Sequence, residues 1–360
     1  MNCTTCAAHR DAEKMRTAMS LCVFTSALAL MAFAAGVHNE TPSREMYVAL
    51  SNSVVRVEAN REDGALSVGS GVTVAPSVVV TNCHVIRDAN VVRISGLGRL
   101  WEATDQYVDT LHDLCFLRVP TWRGDSIVLG AAESLRVGQP VAALGFTGGT
   151  AISLKMGHVL ALHSMEAGHI VESDTAFTSG SSGGGLFDAS GALVGLLTFR
   201  ARGKGSGFYS LPVEWIRDRL PMDNQWSALY AIHGERPFWQ RDADALPYFM
   251  RVSLLETEGR WDAVLDLTDR WSSAFPDNAE PLLSRGKALQ NLEHPRAAVL
   301  AFSDALRLAP DEPAAWYGLA IAYASLGDNP GLRRAQAKVG MLDENLAAKL
   351  EVELGLRNFR

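Results

Sequence analysis

The 360-residue sequence is short of positive charge: 33 Lys and Arg face 40 Asp and Glu, a net charge of −7. With a pI near 5.7 and no basic stripe or aromatic platform, nucleic acid is excluded as the main partner. Neither a P-loop nor a dinucleotide fingerprint occurs, so those phosphate cradles are absent. The glycine-rich run Gly145-Phe146-Thr147-Gly148-Gly149 lacks a lysine and a following helix, and reads as an ordinary loop. Cysteine is scarce, five in all. Cys3 and Cys6 form one C-x-x-C pair with no second pair to complete four zinc ligands. His158, His163 and His169 cluster in sequence without metal-ligand spacing on one face and receive no role. His112 reads as a neighbour at a strand entry rather than a ligand. No metal and no organic cofactor is implied.

The length predicts more than one domain, and a hydrophobic content of 48% is ample for real cores. Residues 1–36 read as a signal peptide or membrane anchor. Arg10, Lys14 and Arg16 precede an apolar run from Ala18 to Ala35 that ends in the small-x-small site Ala32-Phe33-Ala34. That is a secretory pattern, and cleavage near Ala34 is favoured because Ser20, Thr25 and Ser26 thin the run. A retained anchor is the alternative, since the run is just long enough to span a bilayer. Met15 would open a more typical signal than Met1. The protein is therefore expected to be periplasmic or secreted, and to meet a membrane only if this segment is retained.

Beyond it, strand-sized apolar runs recur at Ser53–Ala59, Val91–Ile94, Cys115–Val119, Val141–Leu144 and Ile152–Leu160. Turn residues separate them, the cadence of an all-β barrel domain. Three segments carry chemistry. The turn Thr178 to Phe187 (T-S-G-S-S-G-G-G-L-F) is nearly free of side chains, which lets backbone approach a ligand closely. Its Ser182 is a candidate nucleophile, with the amides of Gly180 and Ser182 as an oxyanion hole. Upstream, Val78-Val79-Val80-Thr81-Asn82-Cys83-His84 sets a histidine just past a strand, and Leu111-His112-Asp113-Leu114 sets an aspartate at the mouth of another. A serine hydroxyl needs a base such as His84 and a carboxylate such as Asp113 to orient that base. Asp109 is a rival acid, but Asp113 abuts the apolar strand Leu114–Val119.

The order His, Asp, Ser, with T-N-C-H-V, H-D-L-C-F-L, G-S-S-G-G-G-L and G-A-L-V-G-L-L-T, closely resembles the trypsin-like serine peptidases, particularly their bacterial HtrA/DegP branch. The resemblance covers Val54 to Trp215. It implies two six-stranded antiparallel β-barrels of chymotrypsin-like fold with the site between them. It also implies His84 as general base, Asp113 as its orienting partner, Ser182 as nucleophile, and Gly180 and Ser182 as the oxyanion hole. The specificity pocket would begin at Ala176-Phe177-Thr178, whose apolar base suits small or aliphatic side chains. In this fold the segments holding Cys83 and Cys115 adjoin, so a disulfide between them and a pair of buried thiols are both open readings. Ser181 stands where such enzymes usually have Asp or Asn. No R-I-V-G-G-like activation sequence precedes the domain, and no PDZ-like region follows.

The peptidase domain is expected over 44–220, closing with a helix from Val213 to Leu220 that Pro221 ends. Residues 221–244 read as a linker that packs partly on its neighbours. The texture then becomes helical. Pro276-Asp277-Asn278 and Pro310-Asp311-Glu312 stand thirty-four residues apart, the tetratricopeptide (TPR) period. Gly286, Ala298, Phe302, Ala305 and Pro310 fall on that repeat's small, aromatic and stop positions. Trp316, Leu319, Tyr323 and Gly327 follow in the next copy, and Tyr248, Leu255, Gly259 and Pro276 in an earlier, weaker one. A generic helical bundle is the alternative to TPR-like repeats over 245–346 with a capping helix at 347–360. The chain is thus multidomain, an all-β double barrel followed by an all-α repeat region. Its expected function is that of an exported serine endopeptidase acting on protein or peptide substrates, with the repeats recruiting a protein partner. The alternative is a catalytically silent, protease-like scaffold.

Overall fold

The computed structural model describes residues 44–96, 98–200 and 207–357. The N-terminal segment read as a signal or anchor, with Cys3, Cys6 and Cys22, lies outside the described residues. The first elements in chain order are α1 (Arg44–Ser51), β1 (Val54–Arg61), β2 (Leu66–Ala75), β3 (Val78–Thr81), the one-turn helix α2 (Cys83–Ile86), β4 (Ala89–Gly96), β5 (Arg99–Glu102), β6 (Asp105–Asp109) and β7 (Leu114–Arg118). They continue with β8 (Pro140–Thr147), β9 (Ala151–Met165), β10 (Gly168–Ser173), β11 (Gly185–Phe187), β12 (Leu193–Arg200), β13 (Phe208–Pro212), α3 (Val213–Asp218) and the two-residue β14 (Ser227–Ala228).

The strands fall into two antiparallel sets. The second is a closed six-stranded barrel in the order β10-β13-β12-β11-β8-β9. Its strand β12 is buried from Leu193 to Phe199, and this run, apolar apart from Thr198, suits a strand covered on both faces. The first set differs from the expected six-stranded barrel. It is an eight-stranded sheet ordered β14-β6-β7-β3-β2-β1-β4-β5. One of the added strands comes from the segment read as a linker: β14 pairs Ser227 with Gln106 and so joins the edge of β6. Val55, Val57 and Ala59 alternate inward along β1 and meet Ile94, Leu117 and Trp122 in a core separate from that of the second barrel.

After three-residue turns at Phe238–Gln240 and Ala243–Ala245, the chain is helical: α4 (Tyr248–Thr257), α5 (Trp261–Ala274), α6 (Glu280–Asn291), α7 (Pro295–Leu308), α8 (Pro313–Leu326), α9 (Asn329–Leu342) and α10 (Glu344–Arg357). These make three successive pairs and a final helix. Asp343 caps the final helix by accepting from the Leu346 amide at 2.9 Å, which starts it at Glu344 rather than 347. The ring of Phe302 on α7 lies between two glycines. A Cβ on Gly286 would stand 2.6 Å from it, and one on Gly318 2.3 Å, so the glycines are what let the pairs close. The first pair is not a loose appendage. Phe249, Val252, Val264 and Trp271 belong to the same buried cluster as Leu196, Tyr209 and Trp215 of the strand-rich half.

Candidate active site

Strand pairing brings His84 and Asp113 together. β3 and β7 run antiparallel with Thr81 opposite Cys115, so the end of β3 faces the start of β7. The turn leaving β3 places His84 on α2, and Asp113 immediately precedes β7. Asp113 adopts φ +57°, a left-handed conformation that aspartate tolerates better than most residues. Its side chain is fully buried. Asp113 Oδ1 accepts the His84 amide at 2.9 Å, and Oδ2 lies 2.6 Å from His84 Nδ1. The Asp113 carbonyl also accepts from Cys83 N and Asn82 Nδ2. Cys83 and Cys115 form a disulfide, Cα to Cα 4.9 Å, which ties the segments carrying the two residues.

Ser182 sits in the turn that leads into β11, and two hydrogen bonds from β2 hold this turn. Ser70 N donates to the Ser182 carbonyl at 2.8 Å, and Ser70 Oγ donates to the Gly180 carbonyl at 2.7 Å while accepting from Phe146 N at 2.8 Å. The approach is too close for any side chain at two positions. A Cβ on Gly183 (φ +85°) would lie 2.1 Å from the Ser70 carbonyl oxygen, and one on Gly180 (φ +91°) 2.4 Å from that of Phe146. Among the described residues, the amides of Gly180 and Ser182 donate to no protein acceptor. They flank the serine and are free for a ligand. Ser182 Oγ donates to the Thr198 carbonyl at 3.2 Å, so its resting hydroxyl points at β12 rather than at His84.

The three residues expected to start a specificity pocket separate. Ala176 and Thr178 are exposed, but Phe177 turns into the barrel core with its ring 5.0 Å from that of Phe208. Its aromatic surface goes to the core instead of the cleft. Asp109, the rival acid, pairs with His112 at 2.7 Å and with Arg219 at 2.6 Å. Burial opposes charge there, but His112 and Arg219 outweigh it and hold the Asp109 carboxyl below its ordinary range. His112 also lies 2.9 Å from Glu166. Despite burial, its two carboxylates raise its proton affinity.

Two further features had no signal in the sequence. Trp239, in the former linker, donates from Nε1 to Asp113 Oδ2 at 3.1 Å. His163 on β9 is held between Glu172 of β10, 2.9 Å from Nε2, and Glu280 of α6, 2.7 Å from Nδ1. It stacks on Phe249 of α4 at 4.2 Å. Burial disfavours its charge, yet Glu280 and Glu172 prevail and push its pKa up to about 9. This contact borders a cavity of about 630 Å³ between the second barrel and the helices, lined by Glu256, Trp261, Lys287 and Tyr317 among others. No three His, Cys, Asp or Glu side chains among the described residues are grouped to hold a metal ion. None of the described helices is long and apolar enough to cross a membrane.

Residues 69–196 match the family described as trypsin-like peptidase domain. The "Probable periplasmic serine endoprotease DegP-like" of Halomonas elongata is 29% identical over 161 residues, 42% of this chain and 34% of the relative. The "Anti-sigma-I factor RsgI9" of Acetivibrio thermocellus is 31% identical over 165 residues, 44% of this chain and 23% of the relative. The chain thus spans about a third or less of the length of these curated relatives. Among solved structures, the "HtrA-type protease AlgW with tripeptide" is 24% identical over half of this chain and 62% of its own, with a TM-score of 0.46. Over residues 69–196 the chain thus matches a trypsin-like peptidase domain, and this part of it is similar to DegP-like serine endoproteases.

Proposed function

We propose that the protein is an exported serine endopeptidase that hydrolyses peptide bonds through Ser182, His84 and Asp113, and that its helix pairs recruit a protein partner or substrate. The observation that carries this reading is the hydrogen-bonded pair of buried Asp113 and half-buried His84, set beside a serine flanked by two unengaged amides. In the proposed cycle, Ser182 Oγ turns from Thr198, attacks the scissile carbonyl carbon and gives its proton to His84 Nε2. The amides of Gly180 and Ser182 take the negative oxygen. His84 then protonates the leaving amine as the C–N bond breaks. Water, deprotonated by His84, releases the acyl group and restores the serine. Asp113 stays ionised and fixes the imidazole. No step calls for a metal or an organic cofactor. Exposed Ala176 and Thr178 bring no charge to the presumed pocket, which suits small or aliphatic residues before the cleaved bond.

The TPR-like identity of the helical half is supported by three pairs at the expected period, with Gly286, Phe302 and Gly318 packed as that repeat requires. The partner would be a protein segment held against the helices. Export is supported by the secretory pattern of the N-terminal sequence and by the periplasmic names of several relatives. One observation favours a second reading, a silent scaffold: the Ser182 hydroxyl is bonded to Thr198 instead of His84. Resting catalytic contacts are often loose in unliganded enzymes, so the first reading stands. The test is hydrolysis of an unfolded protein substrate such as denatured casein by the wild-type chain beside Ser182→Ala. New peptides from the former only are expected; equal products from both would reject Ser182 as nucleophile.

A further inference from the structure

We propose that Trp239, from the segment joining the β half to the helices, is a positioning residue for the Asp113–His84 pair; the inference rests on the peptidase reading above. Its indole meets the pair in two ways. Nε1–H donates to Asp113 Oδ2 at 3.1 Å, the same oxygen that faces His84 Nδ1 at 2.6 Å. The indole also stands edge-on to the His84 imidazole, centroids 5.4 Å apart at 83°, and so limits rotation of that ring. Thr198, near at hand on the serine side, is no substitute donor. Its hydroxyl donates to the Leu196 carbonyl at 2.8 Å and accepts from Asn82 at 3.1 Å.

The indole is itself locked. It stacks on Phe199 at 5.1 Å and 10°, and Phe199 stacks on Tyr209 at 4.8 Å and 8°. The neighbouring Phe238 is buried, and its amide donates to the Leu111 carbonyl at 2.9 Å, two residues before Asp113. The His84 amide already holds Oδ1; a rigid donor on Oδ2 adds a hold on the oxygen that faces the imidazole and so narrows the rotation left to the buried carboxylate. The structure thereby makes the 221–244 segment part of the site, not a tether beside it.

Trp239→Phe keeps the ring and deletes the donor. A hydrogen bond to a charged group is worth about 1.5–3 kcal/mol, so the rate constant for fluorophosphonate labelling of Ser182 should fall about ten- to a hundredfold. For a peptide substrate, kcat should fall with KM unchanged, and the melting temperature should drop by only the several degrees that one hydrogen bond to a charged group accounts for. A second arm needs no activity: in a Ser182→Ala background, the low-field proton resonance of the His84 Nδ1–H···Asp113 bond should shift on Trp239→Phe. If that variant does not fold, the exchange-protected indole proton of Trp239 should instead respond to Asp113→Asn. An unmoved His84 resonance (or an unresponsive indole proton) overturns the proposal, as does an unchanged labelling rate. A faster rate also overturns it, since the ring would then be a cover. If the wild-type chain fails to label, the peptidase reading falls; a shifted resonance would still support Trp239 as the residue that orients the pair.

Discussion

Raising the pH from 6 to 9.5 should loosen the helix pairs from the second barrel, and His163 sets the size of the effect. Its two ring nitrogens face Glu280 and Glu172 at 2.7 and 2.9 Å. Both can donate only when the ring is the imidazolium. Its pKa stands at about 9 in the folded protein against about 6.5 in an unfolded chain. A group whose folded pKa is raised contributes stability that is fully present below the unfolded value and is lost as pH climbs through the folded one. The window therefore runs from about 6.5 to 9, and the separation corresponds to at most about 3 kcal/mol. The His163 side chain is only 12% exposed, so solvent screening removes little of this. Urea denaturation at pH 6 and pH 9.5 measures it directly. The wild-type chain should lose up to about 3 kcal/mol more than His163→Gln between the two conditions. Glu280→Gln, which removes only the helical partner, should fall between them. Equal losses in wild-type and His163→Gln proteins would refute the reasoning.

Gly183→Ala should abolish most labelling of Ser182 and cost about 2 kcal/mol or more. The new Cβ meets the Ser70 carbonyl at 2.1 Å in a left-handed conformation; a labelling rate within twofold of wild type would contradict the tight fit of this turn against β2. Phe302→Ala should cost about 3–5 kcal/mol, read by urea denaturation, because it empties the space that Gly286 and Gly318 leave. Replacing Cys83 and Cys115 together by Ser should cost about 2–5 kcal/mol and lower the labelling rate, as the bond ties the segments bearing His84 and Asp113. An unaltered melting temperature would show that β3–β7 pairing alone suffices there.

Much of the site was legible in the sequence because each part sits in a short local motif. A histidine just past an apolar strand, an aspartate just before another and a serine in a turn stripped of side chains need no tertiary knowledge to be noticed. The second barrel and the helix pairs were legible for a similar reason, since apolar periodicity and a fixed repeat persist over many residues. The rest depends on meetings between distant segments. Ser227–Ala228 extends the first sheet by two residues that carry no strand pattern. Trp239 reaches Asp113 across 126 positions, and His163 reaches Glu280 across 117. An isolated tryptophan in an aperiodic stretch, or a histidine on a half-exposed strand, looks the same whether it packs on a site or on solvent. Phe177 shows the converse: its place in the chain suggested the cleft, but the irregular segment after β10 turns it inward against Phe208.

The account rests on an activated Ser182, and the most direct measurement is mass-spectrometric mapping of a fluorophosphonate adduct on the wild-type chain, beside Ser182→Ala and His84→Ala. A single adduct at Ser182, absent from Ser182→Ala and slowed by orders of magnitude in His84→Ala, is the predicted result. No adduct on any of the three proteins, or one at another serine, would contradict it.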